Sequence, residues 1–137
     1  MNCCKNTAKP DEAALAELKA EQGVYNLLGL AQRAGRLIGG TDAVQKALAS
    51  GQVRLVLLAE DLSENSQKRF RQAWAALPPR AKAKTNVWRF GDMERLGRAA
   101  GKPPRGVWAL ADENFAAGIS PKLTLLINSG RAVPLDL

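Results

Sequence analysis

Residues 35–61 read GRLIGGTDAVQKALASGQVRLVLLAED, and the way this stretch folds decides the architecture of the chain. Its second half, VRLVLLA at residues 53–59, has almost no polar interruption. A strand with one wet face alternates polar and apolar residues. A strand that is apolar throughout needs cover on both sides, as in a parallel or mixed sheet between helices. The segment is therefore read as the central strand. Upstream, Val44, Ala47 and Leu48 recur at helical spacing over about residues 42–50, and Gly51 closes the run. Either Thr41 or Asp42 serves as its N-cap; with Asp42 in that role, Gln45 is at N3 of a capping box. Leu37 and Ile38 form a very short strand ahead of Gly39 and Gly40, a corner that leaves the first helical amides uncovered.

Working outward, Val24, Leu27, Leu28 and Ala31 predict a helix between Gly23 and Gly35, with Arg33 and Arg36 flanking its stop. Residues 11–22, DEAALAELKAEQ, predict a separate helix led by Pro10 and acids, an appendage of modest apolar content. Downstream, Phe70, Ala73, Trp74 and Leu77 share one helix face, which turns Lys68 and Arg71 outward. Pro78 and Pro79 end that helix. NVWRF (86–90) is a strand, DMERLGRAA (92–100) a helix closing on Gly101, and GVWALA (106–111) a last apolar strand before ENFAAGI. Alternating helices and strands predict an α/β fold, a three-layer α/β/α sandwich on a sheet of about four strands. The C-terminal PKLTLLINSGRAVPLDL is open to three readings: an edge strand, a hairpin around residues 128–130, or a tail ordered by a neighbour. The expected division is an N-terminal extension (1–22), one domain (23–118) and a C-terminal tail (119–137).

The 137-residue chain is 46% hydrophobic, enough for one ordinary core. Twenty Lys and Arg against thirteen Asp and Glu give a net charge of +7. Residues 68–105 hold eleven of the cations and two acids, Asp92 and Glu94, a local excess of nine. A field of one sign over part of a small surface favours polyanions, nucleic acid first among them. The alternative is a dispersed basic protein kept soluble by its charge. No apolar run approaches the ~20 residues of a membrane span, and no basic-then-apolar leader opens the chain, so the expected location is cytoplasmic. Cys3 and Cys4 are the only cysteines and there is no histidine. That predicts no disulfide framework, no metal site, and neither Ser-His nor Cys-His catalysis. Glu60 and Asp61 read as solvated loop residues or a helix cap. Neither a P-loop nor a full dinucleotide-binding glycine motif is present. Of three tryptophans, Trp74 and Trp108 belong to apolar faces, whereas Trp88, beside Arg89, is the one candidate for base stacking.

The order LLGLAQRAGRLIGGTDAVQKAL, VRLVLLAEDLSENSQKR, RLGRAAGKPPRGVWALAD resembles the kink-turn RNA-binding ribosomal protein family. Its members include the archaeal L-seven-Ae protein, eukaryotic L-thirty-e relatives and bacterial YlxQ-type proteins, to which the likeness is greatest. The resemblance spans about residues 23–118. It implies a mixed sheet and RNA binding without catalysis or cofactor. In the family, a Gly-x-Asn-Glu-x-x-Lys segment enters the major groove beside sheared G·A pairs. Gly40 and Lys46 match it, while Asp42 and Ala43 stand where Asn and Glu are expected. Ionised Asp only accepts hydrogen bonds, and Ala43 offers no polar side chain. Lys46 is read as facing RNA, the alternative being an i, i+4 contact with Asp42. A second family loop corresponds to Gly101–Val107, with Lys102 and Arg105 suited to phosphates. The expected RNA-binding set is Arg36, Gly39, Gly40, Thr41, Asp42, Lys46, Lys102, Pro103, Arg105 and Gly106. The expected partner is structured RNA, ribosomal RNA foremost, with possible ribosome association. Two alternatives stand: a protein-interaction module that has lost kink-turn recognition, and a substrate-recognition domain like those attached to RNA methyltransferases.

Overall fold

The computed structural model describes residues 2–135, with side chains from residue 14 onward. Among the described residues the elements are α1 (Asn2–Arg33), β1 (Leu37–Gly39), α2 (Thr41–Ala49), β2 (Leu55–Leu58), α3 (Glu64–Ala75), α4 (Pro79–Lys84), β3 (Asn86–Phe90), α5 (Met93–Ala100), β4 (Val107–Leu110), α6 (Glu113–Leu125) and β5 (Ala132–Leu135). The strands form one mixed sheet in the order β1-β4-β2-β3-β5. Only β2 and β3 pair in parallel; the other neighbours are antiparallel.

β2 lies at the centre, as its unbroken apolar run requires. Successive side chains of a strand point to opposite faces. Leu55 and Leu57 enter a core shared with Val24 and Leu28 of α1, Leu96 of α5 and Ile119 of α6. Val56 and Leu58 enter a second core with Val44 and Leu48 of α2 and Phe70 and Trp74 of α3. All four β2 residues are buried, which completes the expected three layers. The same alternation corrects the expectation for Trp88. With Phe90 it faces the α1, α5 and α6 core, and only 8% of it is exposed, so it cannot offer a stacking face to a base.

The sheet of about four strands gains a fifth, Ala132–Leu135, which pairs with β3 and so decides the C-terminal segment for the edge strand among its three readings. Pro134 is tolerated there because an edge strand has one unpaired side. Two other expectations change. The helices expected on either side of Gly23 are a single helix, α1, which also runs through Pro10. Gly23 is a contact point instead: a Cβ there would meet the Lys122 side chain of α6 at 2.9 Å. Ala20 and Val24 on either side of it are buried in the same core. Finally, α3 stops at Ala75, ahead of the proline pair expected to end it, and Pro79 instead begins a helix, at the N1 position of α4.

Candidate nucleic-acid interface

β4 is antiparallel to both β1 and β2, and β2 is parallel to β3, so β1, β2 and β3 all end at one edge of the sheet, where β4 begins. Ligands of open α/β sheets commonly bind beyond such strand ends. The residues gathered there are Gly39–Thr41, Glu60–Ser63, Gly91–Asp92 and Arg105–Gly106. α2, α3 and α5 start from this edge, each presenting the positive end of its dipole.

The three helix ends are not equivalent. Ser63 accepts a hydrogen bond from the Ser66 amide at 3.2 Å and so caps α3. Asp92 accepts from the Arg95 amide at 2.7 Å, and Asp61 accepts from the Met93 amide at 3.0 Å, so α5 is capped twice. The N-cap of α2 is Gly40, with no side-chain cap bond. This replaces the expectation that Thr41 or Asp42 caps that helix. The first amides of α2 are left for an outside acceptor.

Gly39 and Gly40 are required for different reasons. A Cβ on Gly39 would fall 2.6 Å from the Trp108 indole, which lies against the backbone there. Gly40 has φ 98°, a conformation open to glycine and strained for other residues, and its amide donates to the Val107 carbonyl at 2.9 Å. Arg105 reaches across 66 residues of sequence to donate to the Gly39 carbonyl at 2.9 Å. Its own carbonyl accepts from Trp108 Nε1 at 2.8 Å. The proline loop and the glycine corner are thus fastened together by a guanidinium.

Between them lies a cleft of about 400 Å³, lined by Gly40, Thr41, Asp61, Leu62, Ser63, Ser66, Met93, Arg105, Gly106 and Val107. Gly106 is buried against Leu62 and Met93, with no room for a side chain. The structure therefore brings together Gly39, Gly40, Thr41, Arg105 and Gly106 of the expected set. Lys102 and Pro103 continue the same loop, exposed, their backbone folded over Gly97 of α5. Lys46 is exposed on α2, one turn beyond Asp42 and outside the cleft lining. Asp42 pairs not with Lys46 but with Arg69 of α3 at 2.8 Å, both side chains being well exposed. Arg36 stands apart at the opposite end of β1, 3.8 Å from Asp112. Sequence reasoning passed over Ser63, Ser66 and Met93 as lining residues. The Ser63 cap, three residues before Ser66, was the signal available.

This is a helix–sheet–helix binding domain with an uncapped helix end fastened to a basic loop. Residues 22–118 match the ribosomal protein L7Ae/L30e/S12e/Gadd45 family, and the chain belongs to that family. The RNA-binding protein YlxQ of Bacillus subtilis (strain 168) is 35% identical over 97 residues, covering 67% of this chain and 86% of that protein. The RNA-binding protein YlxQ of Enterococcus faecium is 31% identical over 100 residues, covering 69% and 85%. The likeness to the YlxQ-type group read from the sequence is borne out. Among solved structures, a Bacillus halodurans protein of unknown function has a TM-score of 0.62 at 32% identity, over 72% of this chain and 94% of that one. The Giardia lamblia 15.5kD RNA binding protein has a TM-score of 0.57 at 18% identity, over 76% and 84%, and shares the fold.

Proposed function

We propose that this chain is a noncatalytic RNA-binding protein that grips folded RNA between the Gly40 end of α2 and the Arg105 loop. The observation that carries the reading is the bond from Arg105 to the Gly39 carbonyl, which holds a cation beside unpaired helix amides. Both groups favour a phosphate or a base edge rich in acceptors. Lys46 and Lys102, exposed on either element, supply further phosphate contacts. Arg36, turned toward Asp112, takes no part. The named RNA-binding relatives support the reading. The RNA is structured, and ribosomal RNA in the cytoplasm is the source we favour.

Asp42 and Ala43 bear on which RNA shape is preferred. Asp42 carries an acceptor-only carboxylate that already faces Arg69. The test is a titration at two salt concentrations against a kink-turn, a plain duplex and a ribosomal RNA fragment of matched length. Tighter binding to structured RNA, with log affinity falling steeply against log salt, is expected. A flat salt dependence, or no binding to any of the three, overturns the proposal.

One observation favours the protein-interaction alternative: a groove of about 690 Å³ between α1 and α5, beside the half-exposed Leu18 and Leu30. An association that survives nuclease treatment would support it.

A further inference from the structure

A run of positive charge begins on α3 beside the cleft, where Arg71 and Arg89 lie near Leu62, and continues through α4 to the far end of the sheet. Residues 65–91 hold seven cations, Lys68, Arg69, Arg71, Arg80, Lys82, Lys84 and Arg89, and no acid. Among the described residues only Arg69 of these has an ion-pair partner, Asp42. α4 leads directly into β3, whose first residue, Asn86, is in register with Leu55 at the start of β2. The basic helix PRAKAK therefore stands at the end of the sheet opposite the Gly40–Arg105 cleft. Lys82 lines a separate cleft there of about 380 Å³, with Asn86 and Pro134. α3, twelve residues and about 18 Å long, spans the distance between the two ends.

The character of this face selects its partner. The large exposed apolar side chains of the described residues are Leu15, Leu18, Leu30, Leu125, Ile127 and Val133, none of them on α3 or α4. Protein interfaces draw their affinity from buried apolar and aromatic anchors, and membrane-surface helices need an apolar face to insert. A face with neither, whose cations other than Arg69 have no ion-pair partner among the described residues, fits a phosphate backbone.

We infer that α4, at the far end of this charged run, is a second RNA-backbone surface, and that one molecule holds two RNA segments at the two ends of its sheet. The inference rests on the RNA-binding reading above, with the cleft as the first site. The experiment uses the full chain and two short stem-loops, one labelled with a donor dye and one with an acceptor. The wild-type protein should bring them together, giving energy transfer at one protein per two RNAs. Arg80→Ala/Lys82→Ala/Lys84→Ala should still bind one stem-loop but lose the transfer. On a long RNA the same variant should lower the salt slope by about 2 to 3, as removal of three phosphate contacts requires. An Arg80→Gln/Lys84→Gln variant, which changes only exposed side chains and spares the half-buried Lys82, should weaken transfer in the same direction and guards against a folding defect in the first. Wild-type binding at one RNA per protein, or unchanged stoichiometry and slope in both variants, overturns the inference alone. No binding of any RNA by the wild type overturns the RNA-binding reading with it.

Discussion

At Gly40 a φ of 98° combines with the guanidinium of Arg105, whose Nη1 would lie 3.3 Å from an added Cβ. Gly40→Ala should therefore cost about 1–3 kcal/mol, read as a lower midpoint in urea unfolding. An unchanged midpoint would show the corner to be more pliable than its geometry implies. Tyr25 offers a second test at this scale, since it is the one tyrosine in the chain and its phenolate absorbance has a single source. Burial pushes its pKa from the ordinary 10.0 up to about 12, with the Glu21 carboxylate adding to the rise. The nearby Arg95 opposes the shift without giving the buried hydroxyl a well-formed hydrogen bond. A pKa raised in the folded state means that the native protein keeps a proton the unfolded chain gives up. The associated stability is complete below pH 10 and is lost as pH rises toward 12. An alkaline titration should show the phenolate appearing near pH 12 in folded protein and near 10 in denaturant. Coincident curves would refute the burial argument.

The elements make their own predictions, and α1 supplies a contrast. Gly23 and Gly29 both lie in its interior, yet different atoms oppose them: the mobile end of Lys122 at Gly23, the Ala99 backbone carbonyl at 3.1 Å at Gly29. Gly23→Ala should stabilise the protein by about 0.5–1 kcal/mol, because the helix gains propensity and Lys122 can move aside. Gly29→Ala should gain less or destabilise, because α5 must shift. Thermal unfolding of the two variants side by side checks the order. At the start of α5, Asp92→Ala removes the cap on the Arg95 amide and should cost about 1 kcal/mol, measured the same way. Most of these elements were legible in the sequence. The strand at residues 86–90 has the limits its sequence predicts, and α2, α5 and β4 lie within about a residue of theirs, because their apolar periodicities are strong. Gly23 misled because glycine in a helix signals either a stop or a close neighbour, and only the position of α6 distinguishes the two.

For the whole molecule, the decisive quantity is how charge is distributed over two ends of one sheet. Lys102→Ala and Arg105→Ala should each reduce the salt slope of RNA binding by about 1, whereas Arg36→Ala, at the far end of β1, should leave it unchanged. Equal effects from all three would point to diffuse attraction rather than a site. Restoring the family's polar pair with Asp42→Asn and Ala43→Glu should raise preference for a kink-turn over a duplex, read from the ratio of their Kd values.

The layered α/β architecture, the central place of β2 and the excess of positive charge are all visible in the order of residues along the chain. Each of these follows from local composition and periodicity, which a linear reading sees directly. Tertiary structure decided that Arg105 fastens to Gly39, that Asp42 faces Arg69 and not Lys46, that Trp88 is buried and that Ala132–Leu135 completes the sheet. Those outcomes depend on which distant segments the sheet order brings into contact, and no local pattern encodes a partner dozens of residues away.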